Sequence, residues 1–591
     1  MTMPGISAAV APSRSLSGAS SALVLLLLLL PFAARAADVP SAAIALNQVG
    51  YVPAAHKLAD VPAEATDAFT VEDAASGKVV FSGKLGAAAE WKPAGQRVRI
   101  ADFSALSTPG RYRLRIAGLP PSDQFVIATD AYDALGAAAL KAFYFNRAGT
   151  ALDTQHAGIF ARAKGHPDDV VLVHASAASV TRPAGTVISS TKGWYDAGDY
   201  NKYVVNAAVS THQLLDAYEQ FPRVFAAQRL DIPESGNGAP DVLNEAWWNL
   251  QWLLTMQDPE DGGVYHKLTT LKFSGFVMPD QDRAPRYVVQ KSTAAALDLV
   301  AVLAQASRVY ATFGEQFPGA SQRMLAAARR AWAWAQRHPD AVYVQPADVL
   351  TGTYDDAHLD DEFAWAAAEL FLATREAAFF DAFVARKQDA GVPSWDDVAG
   401  FAWLSLASHR DALATQSQRA QAETQVLGVA DGLLREWKSS AYAVAMDAPS
   451  FVWGSNATAL NRAVVLVQAY RLSNEHAYLD AAQSQLDYVL GRNPLGRSFV
   501  TGFGARPPLH VHHRVYASDG IEAPVPGWLA GGANPGQQDH RAGGGCTALP
   551  YPSALPALSY LDATCAYASN EVAINWNAPL VYVVAALGAR R

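Results

Sequence analysis

From about residue 130 onward the chain keeps to one texture, and that texture is what most limits its fold. Segments 133–145, 207–218, 242–256, 291–313, 322–338, 361–374, 398–408, 417–436, 458–473, 475–490 and 571–587 each space their apolar residues at helical intervals. Loops rich in Gly, Pro and Asp separate them, with no strong strand series between. Such a series predicts an all-α domain over 130–591. Helices that must each hide an apolar face can do so as a closed ring of pairs, in an inner and an outer layer, leaving the loops at one end free to build a groove.

The preceding stretch is written differently. Short β-rich runs at 42–46, 68–71, 79–81, 97–100, 110–116 and 124–127 are divided by Gly, Pro, Asp or Ser. In 110–116, Tyr112, Leu114 and Ile116 fall on one face and Arg111, Arg113 and Arg115 on the other. The run at 42–46 is the weakest, because alanine is a poor strand former. This spacing predicts a small β-sandwich over 38–129. Residues 1–37 read as a secretory signal peptide: a single charge, Arg14, precedes the apolar run 22–30, and Ala34, Ala36 and Ala37 offer a cleavage point. Export to the periplasm or the medium is therefore expected, with no membrane association after cleavage, since no later run reads as a membrane span.

A net charge of -9 over 591 residues is too slight a bias for a nucleic-acid binder, and no nucleic-acid partner is expected. With 14 tryptophans, aromatic rings remain for a groove after the core is filled. The only cysteines are Cys546 and Cys565, whose simplest fate in an oxidising compartment is a disulfide. Their place just before Glu571 suggests a brace for a functional loop.

Two clusters carry chemistry. In Gly193-Trp194-Tyr195-Asp196-Ala197-Gly198-Asp199-Tyr200-Asn201-Lys202-Tyr203, two carboxylates lie three residues apart among four aromatic rings. Aromatic faces such as that of Tyr195 stack on sugar rings, and carboxylates hold or deprotonate water. Near the end, Pro507-Pro508-Leu509-His510-Val511-His512-His513-Arg514 presents imidazoles and a guanidinium from a loop, with His512 and Arg514 read as hydrogen-bond donors to hydroxyls. Then Tyr567-Ala568-Ser569-Asn570-Glu571 opens a helix in which Ser569 or Asn570 is the expected cap and Glu571 lies in the first turn. A glutamate desolvated there, near Trp576 and Tyr567, holds its proton more tightly. A protonated Glu facing an ionised Asp is the pair that glycosidic hydrolysis needs. His266, after Gly262-Gly263-Val264-Tyr265, is a further candidate for touching substrate, and Trp395 and Trp453 are loop tryptophans that could serve as sugar platforms.

Taken in order, these signatures and the opening Asn47-Gln48-Val49-Gly50-Tyr51 resemble glycoside hydrolase family 9, the inverting cellulases with an (α/α)6 barrel, and within it the subgroup bearing an N-terminal immunoglobulin-like domain. The resemblance covers nearly all of the chain after the signal peptide. It implies Asp199 as general base, Asp196 as the second carboxylate holding the attacking water, and Glu571 as general acid. His512 and Arg514 fall on the family's His-x-Arg substrate signature. Trp576 stands where relatives can have tyrosine. A structural calcium site on Asp361, Glu362 and Asp396 is also implied, with no cofactor required for the chemistry. The family's zinc site is expected to be absent, since His156, His166 and His174 occur without a cysteine. The implied activity is endo-β-1,4-glucanase action by a monomer on cellulose and related glucans, with exo action on cello-oligosaccharides or β-1,4-glucosamine oligomers as the alternative. In an inverting enzyme the two catalytic carboxyls stand about 6.5–9.5 Å apart to admit a water.

Overall fold

The computed structural model describes residues 43–541 and 543–589. The expected signal peptide lies outside them. Six helices close the inner ring: Val204–Gln220, Thr293–Tyr310, Asp360–Thr374, Ala399–Ser408, Ser455–Ser473 and Ile574–Gly588 touch in that order, and the last packs back on the first. Six more, Asp133–Phe145, Asp241–Thr255, Ala320–Arg337, Ala377–Arg386, Gln416–Ser439 and His476–Val489, each lie against an inner helix. This is the (α/α)6 arrangement that the helical texture and the resemblance implied.

The two layers explain the two kinds of helix pattern. Ala320–Arg337 is amphipathic and buries Met324, Ala327, Ala328, Ala331, Trp334 and Ala335 on one stripe. Thr293–Tyr310, covered on every side, buries each residue except Arg308. By length and composition 293–313 could cross a membrane, contrary to the sequence reading, yet 89% of its most apolar window is buried inside the protein. The helix Ala377–Arg386 went unpredicted because only Phe379 and Phe383 mark its buried face.

Residues 45–127 form two four-stranded antiparallel sheets. One runs Ala45–Leu46, Leu58–Pro62, Gln96–Asp102, Ala89–Trp91, and the other Val79–Lys84, Ala68–Asp73, Gly110–Ile116, Phe125–Ile127. Val71 pairs with Leu114, and Tyr112, Leu114 and Ile116 point inward as their alternation required. The sandwich is keyed to the barrel by buried polar groups. The Arg492 guanidinium makes an ion pair with Asp60 at 3.0 Å and donates to the carbonyls of Tyr442, Ala443 and Ser484. Asn47 donates to Asp487 at 2.9 Å, and the Gln48 side chain donates to the carbonyl of Gly496 while accepting from the amides of Ala505 and Arg506.

A five-stranded sheet of very short strands also crosses the loops of the barrel, in the order Val187–Ile188, Val171–Val173, Tyr287–Val288, Lys267–Thr269, Lys202–Tyr203. Two- and three-residue strands are too brief to show periodicity, so no pattern in the sequence announces them.

Candidate active site

The loop before the first inner helix and the loop before the last one meet at this end of the barrel. Ile574 donates its amide to the carbonyl of Asp196 at 3.0 Å. Glu571 is extended, in a β-bridge with His512, between the short helix Tyr567–Asn570 and the helix beginning at Ile574. It is therefore not in a helix's first turn, as the cap reading had placed it. Ser569 and Asn570 instead belong to the short helix, with the Asn570 side chain donating to the His510 carbonyl and to Asp562.

Asp196, Asp199 and Glu571 line one cavity of about 820 Å³. Each carboxyl is pinned differently. Both oxygens of Asp196 are occupied, Oδ1 by the Asn206 amide at 2.6 Å and Oδ2 by the Tyr354 hydroxyl at 2.8 Å. Asp199 accepts on Oδ2 alone, from Asn201 at 2.6 Å and Tyr203 at 3.1 Å. Its Oδ1 has no protein partner among the described residues. Glu571 accepts on Oε1 from the Gly198 amide at 3.2 Å, leaving Oε2 free in the same sense. Desolvation, followed by the charge of Asp199, raises Glu571 well above the ordinary carboxylate range. The same two causes push Asp196 up to about 8.

Gly198 joins the two halves. Its amide meets Glu571, and its carbonyl accepts from the Arg514 amide at 3.0 Å and from Nη1 at 2.7 Å. Arg514 Nε donates to the Ser274 carbonyl, and its guanidinium lies over Phe273 and Phe276. His512 is also fixed. Its Nδ1 stands 2.7 Å from the Thr564 carbonyl, which can only accept, and burial lowers its pKa to about 4. The imidazole is thus neutral with its hydrogen on Nδ1, and Nε2 is an acceptor. His512 was expected to donate to a hydroxyl; in this tautomer its Nε2 offers an acceptor instead.

Trp395, Trp453 and Trp576 line the cavity with Tyr203, Phe273, Phe276, Tyr354 and Tyr567. Tyr195 and His266 do not. Tyr195 is fully buried, its hydroxyl 2.8 Å from His166 Nδ1. Trp194 and Tyr200 are core rings as well, bonded to Glu245 and the Val277 carbonyl. His266 is buried against Tyr343 and bonded to Ser292 and the Thr353 carbonyl, so it supports the loop behind the cavity and does not reach substrate. Sequence reasoning missed Asn201, Tyr203, Asn206 and Tyr354, which orient the two aspartates. The first three sit two, four and seven residues beyond Asp199, a spacing that could have flagged them.

The disulfide joins Cys546 and Cys565, and Cys565 lies on the cavity wall beside Thr564. For calcium the fit is mixed. Asp298, Asp356, Asp361 and Glu362 hold buried carboxylate oxygens without hydrogen-bond partners, a donor chemistry that suits a hard cation. Among the described residues, however, no three His, Cys, Asp or Glu groups stand together at metal-holding geometry. Asp396 is exposed and bonded to Ser394, so it belongs to the surface of this cluster and not to its buried set.

The sequence profile of glycosyl hydrolase family 9 matches residues 132–584, and that of the cellulase N-terminal ig-like domain matches residues 39–120. The chain belongs to glycosyl hydrolase family 9. Family 9 relatives cover it almost end to end. A xyloglucan-specific endo-beta-1,4-glucanase, BoGH9A of Bacteroides ovatus, is 44% identical over 93% of this chain and 94% of its own length. Endoglucanase D of Acetivibrio thermocellus is 31% identical over 92% of this chain and 83% of its own. Among solved structures, a Bacteroides ovatus family 9 protein superposes with a TM-score of 0.86 at 43% identity, covering 93% of this chain and 99% of the other. A thermostable endoglucanase from Alicyclobacillus acidocaldarius superposes at 0.83 with 34% identity, over 93% of this chain and all of the other.

Proposed function

We propose that this family 9 enzyme is an endo-acting β-1,4-glucanase that hydrolyses internal bonds of cellulose-like glucans in a single inverting step. One observation carries the assignment of roles: of the two aspartates, only Asp199 keeps an oxygen unclaimed by the protein, whereas Asp196 has both engaged. Asp199 Oδ1 takes the proton of a water, and Asp196, held by Asn206 and Tyr354, orients that water. Glu571, kept protonated by burial, gives its proton to the leaving oxygen from Oε2. Arg514 and the acceptor Nε2 of His512 hold sugar hydroxyls, and Trp395, Trp453 and Trp576 supply stacking faces. No metal enters these steps. A cation at Asp298, Asp356, Asp361 and Glu362 would only neutralise a buried acidic cluster behind the loop that carries Tyr354.

Among the described residues that line the cavity, the acids are Asp196, Asp199 and Glu571, which weighs against a glucosamine substrate needing an extra anion. Branched glucan is a second reading, favoured by the named specificity of the Bacteroides ovatus relative. Export and action as a monomer complete the proposal. The test is proton NMR of the first product anomer from a defined cello-oligosaccharide, with viscosity loss measured on linear β-glucan, xyloglucan and chitosan. An initial β-anomer excludes inversion. Release of reducing ends without loss of viscosity excludes internal attack, and normal turnover in Asp199→Ala excludes the base.

A further inference from the structure

Lys267 is fully buried below the catalytic loops, yet no carboxylate lies within ion-pair distance of it among the described residues. Its three ammonium hydrogens go to neutral acceptors on one segment: Gln345 Oε1 at 3.0 Å, Thr351 Oγ1 at 3.1 Å and the Gly352 carbonyl at 2.5 Å. Two of its neighbours grip that segment too, His266 just before the strand at the Thr353 carbonyl and Thr269 on the strand at Thr351 Oγ1. The next residue is Tyr354, whose backbone is held at φ 47° and whose hydroxyl fixes Asp196. On its other side the ammonium sits 5.5 Å from the centre of the Tyr203 ring, and the Tyr203 hydroxyl fixes Asp199.

We propose that Lys267 is a positioning residue that serves both aspartates, clamping the loop that presents Tyr354 to Asp196 and placing an uncompensated positive charge behind Asp199. The premise is that Asp199 is the base. The groups facing Lys267 are Asp199 and Asp355, whose charges favour its protonated form, the rings of Tyr203 and Tyr343, and His266, which is neutral because burial holds it at about 3. Burial lowers Lys267 itself to about 7, so its charge is present in acid and fades toward alkaline pH. A cation there attracts the negative charge gathered in the catalytic loops and lets the enzyme work further into acid.

The experiment is the pH profile of kcat/KM on a soluble linear β-1,4-glucan, for wild type, Lys267→Met and Thr351→Val, with a thermal melt of each. Lys267→Met should lose about 10–100-fold in kcat with a small change in KM, and its acid limb should move toward neutral by about 0.5–1 pH unit. Thr351→Val keeps the charge and removes one acceptor, so it should lose activity several-fold with the acid limb unmoved. Lys267→Gln replaces Lys267→Met should the latter not fold. An acid limb that stays in place when the charge is removed overturns the proposal, as does an equal shift in Thr351→Val. Asp199→Ala separates the two levels: if it retains turnover the base assignment fails, whereas an inactive Asp199→Ala beside an unmoved Lys267→Met limb refutes only the role of Lys267.

Discussion

Replacing Gly198 by alanine should cost this enzyme most of its turnover while leaving it folded. An added Cβ would stand 2.4 Å from the His512 carbonyl oxygen, 2.8 Å from His512 Cδ2 and 3.1 Å from Glu571 Oε1, where ordinary contact begins near 3.4 Å. The first obstacle is backbone, so the loops must part by about 1 Å. Overpacking of this kind costs about 1–3 kcal/mol, which a barrel of this size tolerates. The displaced groups are the bridge between His512 and Glu571 and the amide that holds the acid. A misplacement of about 1 Å at reacting groups costs about 100-fold in rate. Steady-state kinetics on a soluble β-1,4-glucan and a calorimetric melt measure both quantities on one sample. A variant within threefold of wild-type kcat would show that the two loops adjust freely and that Gly198 does not set the carboxyl geometry.

Two further outcomes are expected. Asp196 is held at about 8, whereas in the unfolded chain it titrates near 4, so between those values the folded state binds the extra proton and stability falls as pH rises. Asp196→Asn lacks this drain, so it should be at least tenfold less active while its melting temperature drops less than wild type's from pH 5 to pH 8; parallel melting curves would contradict the shift. The Cys546→Ser, Cys565→Ser double variant opens a loop of sequence separation 19, worth about 3 kcal/mol by loop closure, and frees the Thr564 carbonyl that orients His512. Both a lower melting temperature and a higher KM are expected by calorimetry and kinetics, and an unchanged KM would mean that Thr564 holds its place without the bond.

The ring of helices was legible because each layer leaves its own period, and the acids were legible only jointly, because the Asp196–Asp199 cluster, the His512–Arg514 loop and Glu571 follow one another in order, whereas two aspartates around a glycine alone also suit a turn. What the sequence hid were directions. Tyr195 and His266 have the chemistry of a binding site, yet both turn into the core, where His166 and the Thr353 carbonyl satisfy them. An acid after Ser-Asn looks like the first turn of a helix, but at Glu571 pairing with His512 overrides the local capping preference and keeps the chain extended. Tyr354 comes from a segment 155 positions beyond Asp199 that reads only as the acidic start of a helix, and no local pattern announces a contact across that span.

The seam between sandwich and barrel bears on how the molecule can be taken apart. Arg492 lies entirely indoors, and among the described residues the anion paired with it, Asp60, is supplied by the other domain. Detaching the N-terminal module would leave that guanidinium facing only barrel carbonyls, without an anion, and would strip Asp487 of its Asn47 donor while Gln483 stays. The small domain is thus less a passenger than a keystone, and grafting the catalytic ring onto other partners would call for a new countercharge at that spot.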